Sequence, residues 1–295
     1  MSTTTCRAKD PAACRVHGRV LSPQLEAFVR EWGGLSLITH DTGLFHGAGR
    51  IRKGLNPFLR QQNIDWALRE QLRNKHGANY QALGGYMRHD YEFVNAHLRG
   101  DAAWREFVTQ RSAQYASSGY HDFDEAQYRA RARDAVEKID KLFEDLGDEF
   151  TSDEAVLYRF ETPFAGRSVE QSVATYEPGM IVDAPAYTST SLDPNAVLNV
   201  ANDPSYPDDF YVFEILSKRG VEVHRIAGGM GDEHEVLLSR GSKFQVHRVT
   251  EASYTSGLNW EQQRRRGYFG TMENPKRGIL KKRFKIVQLI DVTED

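Results

Sequence analysis

The stretch "DEHEVLLSRG" (232–241) sets two carboxylates, Glu233 and Glu235, on either side of His234 at the edge of an apolar run. In an extended chain, residues two apart point to the same face. Glu233 and Glu235 would then share a face, with roots roughly 6–7 Å apart from two rises of ~3.3 Å, and His234 would point the other way. Two carboxylates so placed reach one ligand without touching. A glycine-rich piece, "AGGMG" (227–231), precedes them and lets backbone approach a substrate.

Two further pieces carry chemistry. "VLYRF" (156–160) holds Arg159 inside an apolar run. A guanidinium there needs a partner, either a structural carboxylate or an anion gripped through parallel hydrogen bonds. "AYTSTSLDP" (186–194) alternates small hydroxyls along an extended segment before a turn at Asp193-Pro194. Alternation puts Tyr187, Ser189 and Ser191 on one face and Thr188 and Thr190 on the other. An ordinary edge strand and a row of hydroxyls orienting something charged both fit it.

The elements that must hold these residues fall into two halves. From 58 to 147 the apolar period is helical. "NIDWALREQLRNKHG" repeats Ile64, Leu68 and Leu72, with Asn63 as N-cap and Gly77 as stop. "YEFVNAHLRG" puts Tyr91, Val94 and Leu98 on one face, and "AWREFVTQRSAQY" groups Trp104, Phe107 and Val108. "FDEAQYRARARDAVEKIDKLFEDLG" predicts the longest helix, with a stripe of Tyr128, Ala132, Ala135, Ile139, Leu142 and Leu146 and a C-terminal cap at Gly147. After about 150 the period drops to 2. "AVLYRF", "AYTSTS", "FYVFEIL", "VEVHRI", "EVLL", "KFQVHRV" and "FKIVQLIDV" read as strands separated by turn residues. Helices first and strands second is an α+β order.

The chain of 295 residues, 40% hydrophobic and 27% charged, suits one large or two small globular domains without staples. A net charge of −3 gives no global pull toward nucleic acid or membrane. Its two cysteines, Cys6 and Cys14, lie in a polar start that reads as a flexible tail over 1–20. With His17 they fall short of the four ligands of a closed zinc site. The ten histidines show no metal spacing, and His224, His234 and His247 read as ordinary strand residues. No run approaches the ~20 apolar residues of a membrane span, and the start lacks a signal peptide's apolar core. A polar, irregular stretch over 251–279 holds "RRR" (264–266) and precedes "KKR" (281–283), which would be solvated charges or face an acidic partner.

Taken in order, Arg159, Ser189-Thr190-Ser191 and Glu233-His234-Glu235 resemble the arginine-serine-glutamate class of mono-ADP-ribosyltransferases, of bacterial toxin or phage effector type. "GYMRHDYEFVNAHLRG" (85–100) is similar to that family's helix with Tyr…Tyr-x-x-(Ile/Val)-Asn-x-x-Leu-Arg. The resemblance covers roughly 80–292. It implies the family's α+β fold, a helical lobe followed by a split antiparallel β-sandwich around an NAD cleft. It places the catalytic domain at 81–295, helical to about 150 and strand-rich from 151, with 21–80 unassigned.

The resemblance also implies transfer of ADP-ribose from NAD, as substrate, to an acceptor, with release of nicotinamide and no metal. Glu235 would stabilise the oxocarbenium-like ribose, Ser189 would hold Glu235, and Arg159 would grip the diphosphate. Phe160 and Tyr187 would lie by the nicotinamide, with Thr190 and Ser191 also in the NAD site. Phe160 stands where the family often has Gly. Glu233, two positions before the catalytic glutamate, would go with an exposed protein arginine as acceptor. A chain that instead uses water or nucleic acid, with nucleic acid not favoured, or a non-catalytic binding or virion-associated module, remains open at this point. There is no G-x-G-x-x-G between strand and helix, so a Rossmann mode of holding NAD is not expected.

Overall fold

Leucine, isoleucine and alanine at alternating steps of three and four give one helix a continuous apolar stripe, and the rest of the helical layer packs on it. The computed structural model describes residues 66–118, 123–152, 155–163, 166–192, 196–197, 209–217, 219–227, 234–256 and 280–293. The striped helix, α4 (Glu125–Leu146), buries Ala132, Ala135, Ile139, Leu142 and Leu146. It starts at Asp124, whose carboxylate accepts from the Gln127 N–H at 2.9 Å, and ends at Gly147 with φ 57°.

Before it come α1 (Trp66–Gly85), a π turn (Tyr86–Asp90), α2 (Tyr91–Leu98) and α3 (Asp101–Ser118). Gly77 was expected to end the first helix. It does so: at φ 48° and ψ −113° it leaves helical geometry, and the second part of α1 is a separate helical run that buries Leu83. On α2 the buried side chains are Phe93, Val94 and Ala96, while Tyr91, expected in the stripe, is exposed. The buried arc of α2 centres on Phe93, and at about 100° per residue Tyr91 lies on nearly the opposite side of the helix. α1 runs across the expected boundary at 80/81, and its earlier part contributes Leu72 to the helical core.

The strands are β1 (Ala155–Glu161), β2 (Ile181–Ala184), β3 (Thr188–Ser191), β4 (Tyr211–Ser217), β5 (Glu235–Leu238), β6 (Ser242–Ser256) and β7 (Leu280–Asp291), in the order β2-β6-β7-β4-β1-β3-β5. The fold is α+β. The sheet is mixed rather than wholly antiparallel: β7 pairs antiparallel with β6 and meets β4 parallel. One face packs on the helices through Tyr187 and Leu237. The other buries Leu157, Val236, Leu238, Phe244 and Leu289 against Val169 and Val173 of a short helix, α5 (Val169–Val173).

"VEVHRI" departs from its expected strand. Val221 makes single bridges to Thr151 and Leu237, and the chain then turns into a short helix, α6 (Val223–Ile226). Val223 and Ile226 are three apart and both buried, a spacing that shares one face of a helix but not of a strand, while Val221 and Val223 alone alternate. His224 is therefore helical, and His247 is the residue skipped at a bulge between Val246 and Arg248.

Candidate functional site

Three adjacent strands carry the site. β1 pairs with β4 along its length, from Ala155↔Ser217 to Glu161↔Tyr211, but with β3 at Tyr158↔Ser191 alone among the described residues. Beyond that point β1 and β3 do not form a ladder, and Arg159 bridges the gap by donating from Nη1 to the Ser189 carbonyl at 2.8 Å. Its Nε donates to the Glu161 carboxylate. Burial opposes the charge on Arg159, and Glu161 outweighs it, so its pKa shifts upward and the guanidinium stays charged.

β3 and β5 pair with Ser191 opposite Glu235 and Ser189 opposite Leu237. Ser189 and Glu235 are thus diagonal neighbours on one face. Ser189 Oγ donates to Glu235 Oε1 at 2.5 Å, a charge-assisted hydrogen bond that fixes which way the carboxylate points.

The helical lobe adds Tyr86, whose hydroxyl is 3.0 Å from Asn95 Nδ2. Its ionisation is pushed up to about 12 by burial, eased by the Asn95 hydrogen bond and Arg159, and opposed by Glu235. Tyr86 therefore lies within electrostatic reach of both Arg159 and Glu235 and stays a neutral phenol. The helix motif 85–100 contained it, yet nothing in its spacing distinguished it from a core tyrosine.

The sequence profile of the ADP-ribosyltransferase exoenzyme family matches residues 61–269, more than half of the chain. The chain belongs to this family. The family's substrate is NAD, from which ADP-ribose is transferred. No curated protein sequence matches the chain. Solved structures similar to it include C2-I, the enzymatic component of the C2 toxin of Clostridium botulinum, at 14% identity and TM-score 0.45 over 80% of this chain and 50% of that one. They also include the Vis toxin, an ADP-ribosyltransferase of Vibrio splendidus, at 14% and 0.41 over 80% and 90%. The C3 exoenzyme of Clostridium limosum matches at 18% and 0.43 over 80% and 98%. The chain spans half the length of the C2-I chain it matches.

The remaining residues singled out in this ADP-ribosyltransferase chain sit as follows. Tyr187, expected beside the nicotinamide, is 1% exposed. Its ring packs edge-on against Tyr86 and Phe143, and its hydroxyl donates to Asp140 Oδ1 at 2.6 Å, so no ring face is offered to a ligand. Thr190 donates its hydroxyl to the Val236 carbonyl at 2.7 Å and is buried, as is Ser191. Both serve the β3–β5 contact in this structure. Phe160 stacks on Phe210 at 5.2 Å, and Phe210 stacks in turn on Phe284.

His234 was expected to be extended but takes φ 45°. The left-handed residue breaks strand alternation just before Glu235, so the shared-face argument for Glu233 does not hold. Glu233 itself lies outside the described residues, as do Cys6, Cys14, His17 and Arg264–Arg266. Among the described residues no cluster of His, Cys, Asp or Glu side chains has the makings of a metal site, and no helix is long and apolar enough to cross a membrane.

Proposed function

We propose that the protein is a mono-ADP-ribosyltransferase of the arginine-serine-glutamate class that transfers ADP-ribose from NAD to an arginine of a protein acceptor and releases nicotinamide. The observation that carries this reading is the Ser189–Glu235 hydrogen bond beside Arg159, in a chain of this family.

Breaking the nicotinamide C–N bond sends its electron pair to the leaving nicotinamide and leaves positive charge on the ribose. A fixed carboxylate, Glu235, stabilises that charge more in the transition state than in the ground state. Ser189 keeps Glu235 aimed. Arg159 holds the diphosphate, and Phe160 borders the nicotinamide. Glu233 pairs with the incoming guanidinium and takes its proton as the new N–C bond forms, since a protonated guanidinium is a poor nucleophile. The catalytic unit in this reading comprises 81–295 together with α1. The exoenzyme family supports delivery into a target cell.

The test is nicotinamide release from NAD, with and without agmatine, for wild type, Glu233→Gln and Glu235→Gln. Glu235→Gln is expected to lose about 100-fold or more in both hydrolysis and transfer. Glu233→Gln is expected to keep hydrolysis and lose transfer. Hydrolysis without agmatine modification would reject a free guanidine as acceptor, and NAD left intact by wild type would reject the enzyme reading.

A further inference from the structure

β5 is the outermost strand in the sheet order, so the edge it turns away from β3 needs partners for its backbone groups. Val221 supplies them to Leu237, accepting from its N–H at 2.9 Å and donating to its carbonyl at 3.0 Å. Two residues back along that edge is Glu235. Its carbonyl lies 3.0 Å from the Nδ1 of His224, on α6.

We propose that His224 is a positioning residue for Glu235: its Nδ1–H holds the Glu235 carbonyl at the open edge of β5, and the buried Arg69 of α1 fixes His224 in turn. This rests on the reading of Glu235 as the catalytic carboxylate.

Three observations support it. A carbonyl only accepts, so the contact requires the proton on Nδ1. His224 is buried, and burial lowers its pKa against the opposing pull of the Glu235 carbonyl, which favours a neutral ring with a single N–H. Arg69, also buried, donates from Nη2 to the His224 carbonyl at 2.5 Å and from Nε to the Arg225 carbonyl at 3.3 Å. A buried guanidinium needs such acceptors, and the end of a short helix offers them.

His234 supplies the reason a hold is needed. It stands immediately before Glu235 in the left-handed region, where a side-chain-bearing residue persists only if its surroundings enforce it. Its ring packs edge-on against His224 at 5.5 Å, and its carbonyl accepts from the Leu192 N–H at 3.1 Å. Ser189 thus orients the carboxylate of Glu235, while His224 fixes the backbone from which it projects. The hydrogen-bond chain Arg69–His224–Glu235 joins the helical lobe to the edge strand.

Two measurements test the role. In the wild type, nitrogen NMR of the His224 imidazole is expected to show the proton on Nδ1, and a proton on Nε2 alone would overturn the proposal whatever the activity. In kinetics, His224→Leu removes the donor, while His224→Asn keeps an N–H near the place of Nδ1. The Leu variant is expected to lose about 10- to 100-fold in kcat for nicotinamide release with KM for NAD within about twofold. The Asn variant should stay within about threefold of wild type. Equal loss in both variants, an unchanged kcat in the Leu variant, or a loss confined to KM would each defeat the positioning role. If the Leu variant does not fold, the tautomer still decides. A wild type that leaves NAD intact would instead sink the transferase reading, and the Nδ1 result would remain.

Discussion

Ser189 acts through two different groups, and a substitution separates them. Its hydroxyl holds the Glu235 carboxylate, and its backbone carbonyl holds Arg159. Ser189→Ala removes only the first. A hydrogen bond to a charged group contributes about 1.5–3 kcal/mol, so kcat for nicotinamide release should fall about 10- to 100-fold. KM for NAD should change little, because Arg159 keeps its anchor. Steady-state kinetics on the folded variant checks this, and a rise in KM at constant kcat would count against Ser189 acting on Glu235. The same scale applies to two other hydroxyl bearers. Tyr187 and Thr190 spend their donors on Asp140 and on the Val236 carbonyl, because a buried hydroxyl without an acceptor is costly.

At the level of elements, β5 is held on both faces and along its outer edge. Leu237 packs into the helical core and Val236 and Leu238 into the opposite one. Asp140 of α4 ties the two strands of the β3–β5 pair together at one end, accepting from Tyr187 at 2.6 Å and from Arg240 Nε at 2.7 Å. Gly220 crosses β5 so closely that an added Cβ would overlap Val236 Cγ1 and come within 3.1 Å of Leu238 Cδ2. Gly220→Ala should therefore destabilise the fold by about 1–3 kcal/mol through overpacking and displace the strand that carries Glu235. Urea unfolding with nicotinamide release measured on the same samples tests it. A variant with wild-type stability and turnover would mean that β5 has room to shift.

For the whole molecule, one buried and two half-buried histidines make stability fall on acidification. His97, His224 and His247 lie on α2, α6 and β6, and each has its pKa lowered by burial. Arg129 and Arg133 add to the effect at His97, and Arg248 adds to it at His247. Their unfolded pKa is about 6.5. Below that pH the unfolded chain binds more protons than the folded one, so stability falls as pH falls. The urea midpoint should be lower at pH 5.5 than at pH 7.5. Replacing His247 with Asn, which cannot gain the charge, should reduce that difference. An equal midpoint at both pH values would mean that these rings gain protons in the folded state.

The local periods were sufficient for much of the architecture. The stripe of Ala132, Ala135, Ile139, Leu142 and Leu146 specified α4, and short runs of apolar, β-branched and aromatic residues in "AVLYRF", "EVLL" and "FKIVQLIDV" marked β1, β5 and β7. Residue types likewise marked Arg159, Ser189 and Glu235 as candidates. Short segments were less legible. "VEVHRI" begins with alternation and ends at helical spacing, "IVDA" is too brief to announce β2, and the eight residues of α2 are too few to fix its buried face. What joins the site is long-range. Ser189 and Glu235 are 46 positions apart and Arg69 and His224 155 apart. Only strand register, the parting of β1 from β3 and the packing of α1 on α6 beside the edge strand decide whether such groups meet. Those depend on how two hydrophobic layers close on each other, which no local period encodes.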